Sequence, residues 1–342
     1  MDRAGAAPRP PETLADLGEW ELIRRLGAFA PPGQFADDAA LLSLEGDRPG
    51  RLVINTDVLV EGIHFSDATT GAADVGWRAA AANLSDLAAM GCTEVVGLTV
   101  GLVAPASTPW SWVEGVYGGL LEALATHGGM LLGGDCSGGS QRLLAVTAIG
   151  RLDAAGGPIR RADGQPGDLL LSTGPHGLSR LGLALLLDEI AARNVDPALI
   201  QRAISSHRRP VPRFDAVRAL IASRPVAMPW RVAGCDSSDG LAAAVRALAA
   251  ASGCAAVLDR QRLPLEPAMA LLPEAEPWCL GGGEDFELVM ALAPTWGEAL
   301  RETLPGGRLI GELVQGEAGT LGWGDGGTWP HEGAGSGYCH FS

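Results

Sequence analysis

The amino-acid sequence predicts an α/β (α+β) fold in two domains. Three observations carry this. Short apolar runs of strand character alternate with alanine-rich stretches of helical period. A turn-rich stretch, Asp153-Ala-Ala-Gly-Gly-Pro, interrupts that alternation near mid-chain. The two halves also share a theme: a strand, a Gly/Ser-rich turn holding an aspartate, then an alanine-rich helix. With 342 residues there is room for two domains of ordinary size. The expected divisions are a disordered, Pro/Ala-rich N-terminus over 1–12, a first domain over 13–152 and a second over 153–342.

Residues 13–26 have the period of a short amphipathic helix. Strands are expected over 39–44 and 51–57, joined by the turn at 45–50. A helix follows, with Asp74 as N-cap and Gly91 as its stop, and Trp77, Ala80, Ala81, Leu84 and Leu87 form its apolar stripe. Strands at 95–103, 130–134 and 143–150, with a helix over 110–127, complete the first domain. In the second, strands are expected over 168–172, 255–258 and 286–292. Helices are expected over 178–188 and 214–222, and a further one opens at Ser238-Asp-Gly and ends at Gly253. The stretch 208–213 is basic and punctuated by prolines. From Gly316 onward the chain is Gly/Trp-rich and shows little periodicity.

Composition narrows the function. The formal net charge is −15, and no lysine occurs, so every permanent cation is an arginine. Nucleic acid and anionic membrane surfaces are thereby disfavoured as partners, because both need basic patches. A P-loop is excluded, because its lysine is missing. Cys92, Cys136, Cys235, Cys254, Cys279 and Cys339 form no CxxC pair and read as reduced, buried thiols. No signal-peptide pattern and no apolar run of membrane-spanning length is found, so the expected location is the cytoplasm.

The aspartates stand out, since each is set in apolar or glycine-rich sequence. Carboxylates are rarely buried unless paired or bound to metal. Thr56 and Asp57 close a strand, where hard oxygen ligands suit Mg²⁺, although an Asx-turn would also explain Asp57. Asp86 lies on one helix face with Asn83, and no other charge occurs between Arg78 and Asp86. Asp135 follows a Gly-Gly turn that can form an anion-binding nest. Asp236 and Asp239 bracket Ser237-Ser238, and Ser238 or Asp239 serves equally well as a helix N-cap. Glu284, Asp285 and Glu287 lie between a glycine turn and an apolar strand. His64 is either a ligand contact or a structural histidine.

Taken in order, FADDAALL (35–42), INTDVLVEGIHF (54–65), GWRAAAANLSDLAAMG (76–91), LLGGDCSGG (131–139), RRADGQPGD (160–168), HRRPVPR (207–213), DSSDGLAAAV (236–245), GGGEDFEL (281–288) and GYCHF (337–341) resemble the thiamine-monophosphate kinase family. That family lies within the superfamily of aminoimidazole ribonucleotide synthetase. The resemblance implies a first domain whose sheet pairs with that of a second subunit in a homodimer, and a site in the cleft between domains. It implies several Mg²⁺ ions on Asp38, Thr56, Asp57, Asp86, Asp135, Asp236 and Asp239, with Asp57, Asp86 and Asp135 central to catalysis. ATP is matched by Tyr117, Gly134, Asp135, Arg161 and Ser238, and thiamine monophosphate by His64, Glu284 and Tyr338. The implied reaction is ATP-dependent phosphorylation of thiamine monophosphate. The rival readings are an amidine-forming ligase of the same superfamily and a catalytically silent, ligand-sensing homologue. Two departures motivate the latter. Phe35-Ala36 stand where glycines are common, and Ser137-Gly138-Gly139 stand where an arginine usually follows the Gly-Gly-Asp turn.

Overall fold

The computed structural model describes residues 13–44, 50–327 and 329. Two sheets organise them. The first has five strands: β1 (Ala40–Leu44), β2 (Gly50–Val60), β3 (Cys92–Ala104), β4 (Met130–Gly138) and β5 (Leu143–Leu152), in the order β1-β2-β5-β3-β4. Only β3 and β4 run parallel. The helix between them, α3 (Trp110–His127), makes that crossover possible. Helix α2 (Ala72–Ala89) lies beside α3, and both cover one face of the sheet. Their backbones approach closely because small residues line the contact. A Cβ on Gly119 would stand 1.8 Å from the Ala73 carbonyl oxygen, so only glycine fits there.

The N-terminal helix α1 (Leu14–Leu26) precedes this sheet. Helices α4 (Leu178–Leu186), α5 (Pro197–Arg208) and α6 (Phe214–Ala222) follow it, then α7 (Leu241–Ala251), α8 (Ala275–Gly281) and α9 (Pro294–Thr303). The second sheet joins β6 (Leu169–Ser172), β7 (Ala233–Asp236), β8 (Ala255–Leu258), β9 (Leu288–Leu292), β10 (Arg308–Val314) and β11 (Leu321–Trp323) in the order β11-β8-β10-β6-β9-β7. Leu241, Val245 and Leu248 of α7 pack on one side of it. On the other side Val217, Leu220, Trp296 and Leu300 join a core that continues to Leu84, Leu98 and Leu120 of the first lobe. The two lobes therefore share apolar packing.

The proline-punctuated stretch 207–213 ties them further. Arg209 Nε meets Asp74 at 2.6 Å, Arg208 Nε donates to the Thr69 carbonyl at 2.7 Å, and Trp77 Nε1 donates to that of Pro210 at 2.8 Å.

Most expected elements are present, and the differences have physical causes. Helix α2 begins at Ala72 with Gly71 as N-cap and no side-chain cap bond, so Asp74 lies in the first turn, paired with Arg209. Helix α7 begins after Gly240, again without a side-chain cap, so neither Ser238 nor Asp239 is its cap. The strand expected from Phe286 starts only at Leu288, because Phe286 has φ 52° and is not extended. Cys136 is exposed rather than buried, since it sits on edge strand β4. The expected disordered stretch 1–12, Cys339 and Tyr338 lie outside the described residues. No helix among the described residues is long and apolar enough to cross a membrane.

Candidate active site between the lobes

Strand alternation sets the first part of the site. Asn55 and Asp57 of β2 face α2, and Thr56 faces the opposite side, where its hydroxyl meets that of Thr147 at 2.8 Å. On α2, Asn83 and Asp86 are three residues apart and share a face. Asn83 Oδ1 accepts from the Asp57 amide at 3.1 Å, and Asp86 Oδ2 accepts from Asn55 Nδ2 at 2.7 Å. These amides hold the strand end and the helix carboxylate in register.

The second lobe supplies the remainder. Ser85 Oγ donates to Asp236 Oδ2 at 2.9 Å across the lobe boundary. The Asp236 amide donates to Asp38 Oδ2 at 3.3 Å, and Ser238 Oγ donates to Asp236 Oδ1 at 2.9 Å. The Arg161 guanidinium pairs with Asp38, while its own amide donates to Asp37 at 2.9 Å. The structure thus brings Asp38, Asp57, Asp86 and Asp236 together with Arg161 and Ser238.

This cluster is electrostatically incomplete. Burial raises the Asp57 carboxyl above the ordinary carboxylate range, and Asp236 raises it further. Asp86 is raised well above its ordinary value by burial and then by Asp57, Asp236 and Asp38. Asp38 is raised by burial, opposed by Arg161. Asp57 and Asp86 keep a partly exposed edge toward the cleft. Beside them Asn55 Oδ1 is a buried acceptor with no hydrogen-bond partner. A set of hard oxygen donors that repel one another, with an orphaned acceptor alongside, fits a divalent cation. No three His, Cys, Asp or Glu side chains among the described residues stand close enough to hold a metal ion by themselves. That is compatible with Mg²⁺, which keeps several waters and binds through a few carboxylates plus substrate phosphates.

Other expected residues lie elsewhere. The register Asp57–Val146–Val100–Gly134 puts Gly134 three strands from Asp57, about 14 Å away. A Cβ on Gly134 would stand 1.9 Å from the Val100 carbonyl oxygen, which gives this glycine a packing reason of its own. Asp135 is exposed and in register with Gly101, Ala145 and Val58, so it faces away from α2 together with Thr56. Tyr117 of α3 is near Cys136, its phenol raised mainly by burial. Tyr117 and Gly134 on the helix-covered side of β4, and Asp135 on its open side, therefore form a second group at this edge, apart from the aspartate cluster. Asp239 adjoins the Gly283 turn.

His64 and Glu284 meet through a residue that the sequence reading did not select. Arg78, 3% exposed, bonds to Glu284 Oε1 at 2.5 Å and to the His64 carbonyl at 3.5 Å. His64 itself accepts the Val60 amide at Nδ1, 3.1 Å away. The available signal was an arginine inside an alanine-rich helix. Asn55 and Asn83 were missed as positioning groups because a neutral amide does not stand out in sequence.

A lobe built on a mixed sheet, a second lobe closing over it and aspartates at the junction define an aminoimidazole ribonucleotide (AIR) synthase-like enzyme. The family models described as AIR synthase related protein, N-terminal domain, and AIR synthase related protein, C-terminal domain, match residues 36–152 and 165–324. Thiamine-monophosphate kinase of Prochlorococcus marinus is 47% identical over 321 residues, covering 93% of this chain and 94% of the relative. That of Synechococcus elongatus is 46% identical, covering 89% and 90%. A solved structure described as AaThiL complexed with AMPPCP and TMP superposes with TM-score 0.81 at 28% identity, covering 96% of this chain and 99% of that one. The chain belongs to the thiamine-monophosphate kinase family.

Proposed function

We propose that this protein transfers the γ-phosphoryl group of ATP to the phosphate of thiamine monophosphate, forming thiamine diphosphate and ADP. The observation that carries the reading is the convergence of four aspartates from both lobes on one cleft. The acceptor needs no general base, because a phosphate monoester with a second pKa of about 6 is already mostly ionised at neutral pH. The obstacle is repulsion between two polyanions that must align in line.

Asp38, Asp57, Asp86 and Asp236 are the residues that would hold Mg²⁺, with Asp239 at the margin and Asp135 able to reach the site only from a second subunit. When bound, Mg²⁺ supplies the positive charge that a lysine-free, acidic protein lacks. The chain's own residues do the positioning. Asn55 and Asn83 lock Asp57 and Asp86 in place, Ser85 fastens Asp236 across the lobe boundary, and Arg161 restrains Asp38.

The Asp135 group is best accounted for by a homodimer. Strand β1 pairs with β2 only from Gly50 to Ile54, so among the described strands none covers the edge of β2 from Asn55 to Val60. Strand β4 is the opposite edge and is exposed along most of its length. Met130, Leu132, Leu42 and Val58 leave apolar surface on these strands. Pairing the β4 edge of one copy with the bare β2 edge of another would bring Asp135, Gly134 and Tyr117 of one subunit to Thr56 and Asp57 of the other. We assign the lobes to 13–152 and 153 onward, and place the enzyme in the cytoplasm. The test is to incubate the protein with Mg-ATP and thiamine monophosphate and resolve the products by chromatography. Thiamine diphosphate should form and should cease when EDTA is added. ATP binding without product would favour a ligand-sensing homologue.

A further inference from the structure

Arg78 has an unusual set of partners. It is on α2 of the first lobe, yet its guanidinium bonds to the His207 carbonyl at the end of α5 and to Glu284 in the loop before β9. It also reaches the His64 carbonyl in its own lobe. Its Nε is buried with no hydrogen-bond partner. One planar cation thus joins three separate chain segments across the cleft, in the fork geometry that arginine provides and lysine does not.

Glu284 is equally constrained. Its φ is 56°, in the left-handed region that non-glycine residues rarely occupy, and Phe286 two residues on has φ 52°. Such strain persists only where the surroundings over-determine it. Here Asp285 accepts the Gly177 and Ser179 amides at 2.6 and 2.9 Å, and Glu287 pairs with Arg213. The Glu284 amide donates to the Ser238 carbonyl at 2.6 Å.

The Glu284 side chain is nonetheless 35% exposed. His207 is 3.8 Å from its second oxygen and is held neutral by burial, then by Arg78, Arg208 and Arg180. Arg78 therefore fixes one oxygen of Glu284, and the carboxylate keeps open access to the cleft. A fully buried ion pair would often be replaceable by apolar residues without loss. A half-open carboxylate held at a strained backbone position points to a ligand.

We propose that Arg78 is a positioning residue for the acceptor substrate. It holds Glu284 so that its carboxylate meets the cationic, amine-bearing ring system of thiamine monophosphate, while the acceptor's phosphate lies at the aspartates. Through the bond from Glu284 to Ser238, the same latch sets the ring subsite relative to the Asp236 loop. This inference rests on the kinase reading.

The test is steady-state kinetics on Arg78→Met, Arg78→Lys, Glu284→Gln and the double variant Arg78→Met/Glu284→Gln, with circular dichroism as the folding control. Arg78→Met should raise KM for thiamine monophosphate about tenfold or more and leave KM for ATP within about twofold. The double variant should be no worse than Glu284→Gln alone, because both changes remove one device. Arg78→Lys keeps the charge without the fork and should show a smaller rise in the same KM. It also serves if the Met variant does not fold. Equal changes in both KM values, or additive effects in the double variant, would overturn the positioning role. A wild-type protein that makes no thiamine diphosphate would instead overturn the kinase reading beneath it.

Discussion

Asp86 is where stability and chemistry conflict most directly. It is a carboxylate on an otherwise apolar helix, raised by burial and by three neighbouring aspartates, and Asn55 Nδ2 donates a hydrogen bond to it. Without a cation this arrangement costs free energy, because like charges share a poorly solvated cleft. Asp86→Asn should therefore lower turnover by about a hundredfold or more, as removal of a phosphate-clamping group does. The thermal midpoint of the EDTA-treated variant should equal or exceed that of the wild type. Asp57→Asn should lower turnover likewise with an unchanged circular dichroism spectrum. Near-normal turnover in both variants would sink the carboxylate-cluster reading. Asp57, Asp86 and Asp236 were legible in the sequence because a charge in apolar surroundings is conspicuous. Thr56 was grouped with Asp57 by proximity in sequence, whereas strand alternation puts the two side chains on opposite faces.

Among the elements, strand β4 matters most for the chemistry. The sequence suggested a short strand ending at Gly134, because glycines weaken a strand pattern. In the structure it continues to Gly138, paired to β3 except for a bulge at Leu132, and it carries Asp135 to a sheet edge. Helices α3 and α6 were legible to the residue, since an apolar period runs the whole length of each, the eighteen residues of α3 and the nine of α6 alike. Strands β7 and β11 were not, because AGCD has no β-branched residue and a glycine splits LGW, whereas the equally short β8 (AAVL) is a continuous apolar run, and the pairing partners of β7 and β11 are distant in sequence. Edge pairing between two copies gives a specific expectation. Co-expressed Asp57→Asn and Asp135→Asn chains form heterodimers with one intact site, so the mixture should recover about a quarter of wild-type activity. Each variant alone should be nearly inactive. No recovery would mean that Asp135 serves its own subunit, and full activity of Asp135→Asn alone would mean that it serves none.

At the scale of the whole molecule, the two lobes are joined by buried polar groups as well as by core packing. Within the second lobe, His176 is fully enclosed between Ser172 and Ser237, with Ser237 Oγ 2.9 Å from its Nε2, and burial pushes its pKa down to about 4. A histidine lowered in the folded state is neutral there, while the unfolded chain takes up a proton near pH 6.5. Its contribution is therefore complete above about pH 6.5 and is lost progressively toward about pH 4, amounting to up to about 3 kcal/mol. Asp285, raised to about 7 mainly by burial, acts in the opposite sense, losing stability as pH rises through that window. The total profile is a balance, so the informative quantity is a difference. Relative to His176→Gln, the wild type should lose stability in urea melts between about pH 6.5 and about pH 4, and a constant difference would contradict this. The central claim is that the interlobe aspartates carry phosphoryl transfer to thiamine monophosphate. Its most direct measurement counts ADP and thiamine diphosphate together after Mg-ATP and thiamine monophosphate are added to wild-type and Asp86→Asn protein. Equal amounts of both products are expected from the wild type and almost none from the variant. ADP without thiamine diphosphate, or equal product from the variant, would contradict it.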